Sequence, residues 1–187
     1  MTKIAVFASG NGSNFEAIVT NASAYVVAVL IVDHKEAYAS ERAKRLDVPF
    51  YVVEPREFIS KREYELEILR ILEPFDVRWI ALAGYMRICG PALLNAYPDH
   101  IINIHPALLP SFPGKDAIFQ AINHHVKVTG VTIHFVDSGI DTGKIIAQAP
   151  YLIPEGADEE TIRKGIQAIE HELYPNIINR LIKEESQ

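Results

Sequence analysis

The strongest constraint in this chain is a recurrence of short, β-branched apolar runs that barely alternate with polar residues. They are Ile4–Ala8, Tyr25–Val32, Phe50–Val53, Val77–Ala83, Ile101–Ile104, Val128–Val136 and Ile145–Ile153. A strand with one wet face alternates apolar and polar side chains. A strand buried on both faces, as in a parallel sheet covered by helices, reads as a nearly continuous apolar run. Between the runs lie segments of helical spacing: Ser13–Asn21, Glu36–Leu46, Arg56–Leu72 and about Asp158–Lys183. Pro74 follows the third, and Pro175 is expected to end or kink the last. Alternating β and α segments predict an α/β fold, a three-layer, Rossmann-like, mostly parallel sheet with helices on both faces.

Composition narrows the function. A chain of 187 residues with no internal repeat, low-complexity tract or linker fits a single domain spanning 1–187. Apolar residues at 49% and charged residues at 22% exclude a mainly disordered chain. Lys+Arg 18 against Asp+Glu 24 gives 18 − 24 = −6, which argues against a nucleic-acid partner. A local loop can still bind a small anion against that charge. The longest apolar stretch, Tyr25–Val32, is of strand length, so no membrane span is expected, and the N-terminus has no signal-peptide pattern. The lone Cys89 can form neither an internal disulfide nor a thiolate metal cluster, and a cytoplasmic setting is expected.

In open α/β sheets ligands bind beyond the carboxyl ends of the strands. The first run leads into Ser9-Gly10-Asn11-Gly12-Ser13-Asn14 and then a helix. The glycines permit a tight turn, Ser13 or Asn14 suits an N-cap, and the free N–H groups of a first helical turn attract an anion. The segment is either a bare strand-to-helix turn or a phosphate cradle. It matches neither G-x-x-x-x-G-K-[ST] nor the full G-x-G-x-x-G spacing. A single phosphate on a small metabolite therefore fits better than ATP or a dinucleotide.

Asn103 and His105 share one face of a strand, while Ile102 and Ile104 point the other way, and Pro106 stops the ladder. Buried polar groups need partners, so the pair is either a satisfied core histidine with a loop-pinning Asn, or part of a site. His134 is another strand histidine, read more readily as a core or supporting residue. The loop Asp137-Ser138-Gly139-Ile140-Asp141-Thr142-Gly143 offers two carboxylates, which also suit turns and caps. Asp141 beside His105 would orient the imidazole. No Ser or Cys nucleophile accompanies Asn103, His105 and Asp141. The trio suits direct attack of an amine on an acyl carbon. Asn103 and His105 would stabilise the developing oxyanion, and Asp141 would orient His105 and help remove the amine proton. Nothing in the spacing calls for a metal.

The chain resembles the phosphoribosylglycinamide formyltransferases of purine biosynthesis from Lys3 to about Leu181. The motifs occur in order: Ser9-Gly-Asn-Gly-Ser-Asn14, Leu82-Ala-Gly-Tyr-Met-Arg-Ile88, Asn103-Ile-His-Pro-Ala-Leu-Leu-Pro110, His134-Phe-Val136 with Asp141 following, and Glu170-His-Glu-Leu-Tyr-Pro175. The resemblance implies the formyltransferase fold and formyl transfer from 10-formyltetrahydrofolate, a co-substrate, to the amine of glycinamide ribonucleotide. It implies small-molecule partners, no metal, and a monomer or homodimer. It makes Asn103, His105 and Asp141 the catalytic trio. It matches Gly12, Ser13, Asn14, Phe15, Glu16 and Glu170 to ribonucleotide contacts. It matches Lys61 (with Arg62 adjacent), Met86, Arg87, Ile88, Cys89, Asn103 and Asp137, Ser138, Gly139, Ile140 and Asp141 to the formyl-folate pocket. Ala107 stands where relatives often carry Ser.

Three rival functions are separable in expectation. Formyltetrahydrofolate hydrolase is expected to carry an extra N-terminal domain, and methionyl-tRNA formyltransferase an extra C-terminal domain with a basic surface. A non-catalytic folate- or phosphate-binding module would not require the Asn103, His105 and Asp141 trio.

Overall fold

Each apolar run becomes a strand of one seven-stranded sheet in a computed structural model, which describes residues 1–186. In chain order the elements are β1 (Thr2–Ala8), α1 (Ser13–Thr20), β2 (Tyr25–Val32), α2 (Ala39–Arg45), β3 (Phe50–Val52), α3 (Lys61–Leu72), β4 (Trp79–Leu82), α4 (Pro91–Ala96), β5 (Ile101–His105), α5 (Ala117–Asn123), β6 (Val128–Phe135), β7 (Ile145–Leu152) and α6 (Glu159–Glu185). The strand order is β3-β2-β1-β4-β5-β6-β7. The first five strands are parallel, while β6 and β7 pair antiparallel. A continuous apolar run carries no information on strand direction, and at the sheet edges it overstates burial, since no residue of β3 or β7 is fully buried there.

Helices cover both faces, as the runs require. Ile4, Val6 and Ala8 of β1 meet Phe15 and Ile18 of α1 and Ile166 and Tyr174 of α6. Ala5 and Phe7, pointing the other way, meet Tyr64, Ile68 and Leu72 of α3 and Leu93 of α4. Alternate side chains of one strand thus feed two separate cores.

Several boundaries differ from the sequence expectation. The segment predicted from Arg56 forms a short 3₁₀ turn at Pro55–Glu57, and α3 begins only at Lys61. An N-terminal cap decides this: Ser60 Oγ accepts the Glu63 N–H at 3.2 Å, and the Glu63 carboxylate accepts the N–H of Ile59, the residue before the cap, at 3.2 Å. α2 starts at Ala39 rather than Glu36. α4 and α5 fall outside the expected helices, both being too short to show a clear helical period. α6 does not end at Pro175 but runs on to Glu185. Pro175 removes one helical hydrogen bond, but it is buried with Tyr174, Ile177 and Ile178, and that packing outweighs the loss.

The far end of α6 is pinned to the start of β4. The Glu185 carboxylate accepts from Trp79 Nε1 at 2.8 Å, from Arg78 Nε at 2.9 Å, and pairs with His100 Nε2 at 2.9 Å. Burial would raise this carboxyl, but the His100, Trp79 and Arg78 contacts outweigh it and hold it at about 2. A depressed carboxyl contributes stability above the ordinary carboxylate range and loses it as pH falls towards the folded value. Replacing Glu185 by Ala should therefore lower unfolding stability by about 1–3 kcal/mol at pH 7. In urea titrations repeated at descending pH, the gap between variant and parent should narrow.

Candidate active site

The strand order reverses between β1 and β4, since β2 and β3 lie to one side and β5 to β7 to the other. Crossover helices leave a crevice at such a point. Here it opens into a cleft of about 1010 Å³, lined from Asn14, the segment after β4, β5, β6, the Gly114–Phe119 and Asp137–Asp141 stretches, and α6.

Asn103 and His105 both line this cleft from β5, as their shared face predicts. Asp141 joins them from the loop after β6, with a left-handed backbone at φ 54° that Asp tolerates. The carboxylate gathers three elements. Its Oδ2 lies 3.3 Å from His105 Nδ1 and accepts the Gly114 N–H at 2.7 Å. Its Oδ1 lies 3.5 Å from His134 Nε2. Burial alone would raise this carboxyl. The His134 contact, the Gly114 N–H and the two imidazoles outweigh it and hold Asp141 below its ordinary value.

His105 is itself held at both ends. Its Nε2 donates to the Phe112 carbonyl at 2.8 Å, and its Nδ1 faces Asp141. His134 is more than a core residue: its Nδ1 donates to the Phe135 carbonyl at 2.8 Å, and its Nε2 stands between the Asn103 amide at 3.2 Å and Asp141 Oδ1 at 3.5 Å. This contact holds the Asn103 amide at the cleft wall.

Elsewhere on the lining, Asn14 Nδ2 donates to Glu170 Oε2 at 3.1 Å, joining α1 to α6 where the two helices pack. Neither Ser13 nor Asn14 caps α1. The N-cap is Gly12 at φ 76°, which has no side chain to cap with, and Asn14 lies inside the first turn with its Nδ2 on Glu170. A Cβ at Gly12 would sit 2.6 Å from Ala39 Cβ, so only glycine lets the loop pack against α2.

The remaining expected residues divide. Met86, Arg87, Ile88 and Cys89 line the cleft, as do Asp137, Gly139, Ile140 and Asp141. Met86, Ile88 and Ile140 are large apolar side chains more than half exposed there. Burial pushes the Cys89 thiol up to about 12, so it packs as an inert wall. Gly12, Ser13, Phe15, Glu16, Lys61 and Ser138 are not among the lining residues. Phe15 lies in the core, and Glu16 is paired with Arg42 and Arg45. Arg42 also donates to the Asn11 carbonyl at 2.8 Å, so this pairing braces the glycine loop from behind. Lys61 lies against Gly90, beside the cleft wall.

Sequence reasoning passed over Arg163 and Gln167, which line the cleft with Glu170. Their spacing of seven and three residues before Glu170 puts all three on one helix face, and that periodicity could have found them. Among the described residues no group of His, Cys, Asp or Glu could hold a metal ion, and no helix is long and apolar enough to cross a membrane.

Comparison with known proteins matches residues 2–178 to the formyl transferase family. The chain belongs to that family. It is 49% identical, over 97% of its own length and 95% of the relative's, to the phosphoribosylglycinamide formyltransferase of Bacillus subtilis (strain 168). The crystal structure of phosphoribosylglycinamide formyltransferase from Bacillus halodurans superposes with a TM-score of 0.95 at 46% identity, covering 98% of this chain and 97% of that one. Glycinamide ribonucleotide transformylase 1 from Geobacillus kaustophilus gives 0.94 at 50% identity, covering 97% and 99%. This formyl transferase is therefore a group-transfer enzyme of the α/β, Rossmann-like formyltransferase fold.

Glu170 gives a stability test. Burial, opposed only by the Asn14 contact, raises its carboxyl from 4.5 to about 7. Between those values the unfolded chain has released its proton and the folded one has not, so stability falls as pH rises through that window. Glu170→Gln removes the titration. At pH 8 the variant should be more stable than the parent by about 3 kcal/mol, with the difference gone near pH 4, in thermal or urea unfolding.

Proposed function

We propose that this chain transfers the formyl group of 10-formyltetrahydrofolate to the amine of glycinamide ribonucleotide, in purine biosynthesis in the cytoplasm. The observation that carries the reading is that Asn103, His105 and Asp141 meet on one wall of a single cleft. Asn14 and Glu170 stand at its ribonucleotide end, and Met86, Ile88 and Ile140 offer exposed apolar surface for a flat ring system. The relatives' names support the formyl group and its ribonucleotide acceptor.

The loop Gly12–Asn14 and the first turn of α1 receive the phosphate, with backbone N–H groups and the helix dipole supplying the attraction. Glu170 accepts from sugar hydroxyls, and its ionisation is favoured once those donors arrive. Met86, Arg87, Ile88 and Cys89 present wall and backbone groups to the folate ring. Holding both substrates in one cleft makes the reaction effectively unimolecular.

The neutral amine adds its lone pair to the formyl carbon, and negative charge develops on the formyl oxygen. An amide N–H of Asn103 and the Nε2–H of His105 stabilise that oxygen. To do so His105 releases the Phe112 carbonyl. Asp141, charged beside the His105 ring in the resting site, takes the amine proton through a water and passes it on to the leaving folate nitrogen. Collapse breaks the bond between the formyl carbon and the folate nitrogen, which is then protonated, and gives the formamide.

A spectrophotometric assay of formyl-folate consumption, with and without glycinamide ribonucleotide, tests this reading. Consumption that requires the ribonucleotide and yields formylated product is expected. Equal consumption without it, releasing formate, would indicate a hydrolase, and none in either case would indicate a binding module. His105→Ala should lower kcat by about 10²-fold or more while both substrates still bind. Normal turnover in that variant would refute the assigned role. Asn103→Ala should lower kcat by a similar order, on the order of 10²-fold.

A further inference from the structure

Two buried carboxylates outside the cleft hold the cleft wall that runs from Gly84 to Gly90, and neither is used by the mechanism above. Asp33 follows the last residue of β2 and is 2% exposed. It accepts from Arg87 Nε at 2.7 Å and pairs with His34 Nδ1 at 2.7 Å, and Ser9, the residue after β1, is its neighbour. Ser9 in turn accepts the Met86 N–H on its Oγ at 2.8 Å and donates its own N–H to the Gly84 carbonyl at 3.1 Å. The front of the segment is thus tied to the ends of two neighbouring strands.

Glu65 holds the rear. It lies on α3, is 1% exposed, and accepts the backbone N–H groups of Gly90 and, at 3.2 Å, of Ala92. These are N–H groups at the start of α4, which has no side-chain cap of its own. A Cβ at Gly90 would lie 2.6 Å from Glu65 Oε1, so the glycine is what admits the carboxylate. One helical turn earlier on α3, Lys61 packs against the same glycine.

Met86 to Cys89 therefore form a short bridge anchored at each end by a desolvated carboxylate. A surface loop bonded only to water would sample many backbone states and would have to be ordered when ligand binds. Charge-assisted hydrogen bonds, from Asp33 to the Arg87 guanidinium and from Glu65 to two backbone N–H groups, fix it beforehand. We propose that Asp33 and Glu65 are positioning residues for the formyl-folate, preorganising the Met86–Cys89 wall without touching either substrate. The inference rests on the reading of that wall as the folate side of the cleft.

The test uses Asp33→Asn and Glu65→Gln in the full chain. The first substitution keeps the shape of the side chain and removes the charge opposite Arg87. The second leaves one acceptor oxygen where two N–H groups need one each. In each variant the KM for 10-formyltetrahydrofolate should rise about tenfold, while the KM for glycinamide ribonucleotide stays within about twofold. General destabilisation would lower the active fraction and leave the ratio of the two KM values unchanged. Equal rises in both, or no change in a folded variant, would overturn the proposal.

Hydrogen exchange on the unsubstituted chain gives a reading that no folding failure removes. The amides of Met86, Gly90 and Ala92 should exchange slowly without ligand, and exchange at open-loop rates would refute the preorganised bridge. A parent chain that turns over no formyl-folate would defeat the functional reading itself, a result separate from the exchange measurement.

Discussion

β1 is buried from Ile4 to Ala8 on both faces, and the sheet is built outwards from it in both directions. Such a strand must have helices above and below it, because neither row of its side chains can face water. α1 and α6 supply one cover, and α3 and α4 the other. The chain then has to leave β1 and β4 towards opposite sides, and the loops at their carboxyl ends part. The cleft is the gap that this parting leaves.

Into that gap the structure brings groups that are mostly held before any ligand arrives. Asp141 is bonded to β5, β6 and the Gly114 loop at once. Asn103 is oriented through His134, and His105 through Asp141 and the Phe112 carbonyl. Fixing such donors in advance is what makes them effective at developing charge, since little reorganisation remains for the moment of reaction. The same logic extends to the Met86–Cys89 wall, whose anchors lie outside the cleft. Glu170 is the exception. It is buried with Asn14 as its side-chain partner, and burial raises its carboxyl.

Much of the fold was legible because burial leaves a direct mark on composition. The β-branched runs located every strand, and the strand period put Asn103 and His105 on one face. The segment order separated α/β from other classes. What was not legible depended on partners distant in sequence. Strand direction at β6 and β7 does not alter how apolar a run is. The start of α3 was decided by Ser60 and Glu63, a local signal that the longer apolar period concealed. The continuation of α6 through Pro175 was decided by burial against the sheet.

The site divides in the same way. The sequence by itself determined which residue types were available and at which strand ends they would emerge: the Gly10–Asn14 loop, the Asn103 and His105 pair, and Asp141 within a turn-forming loop. Only the tertiary structure decided their relations. It turned Asn14 towards Glu170, 156 residues away in the chain. It directed Glu16 to Arg42 and Arg45 rather than into the cleft. It set His134 against Asn103, and Asp33 and Glu65 behind the cleft wall. Periodicity reports which face of an element a side chain occupies, because that follows from local backbone geometry. Which group meets it there depends on how separate elements pack, and no local pattern carries that information.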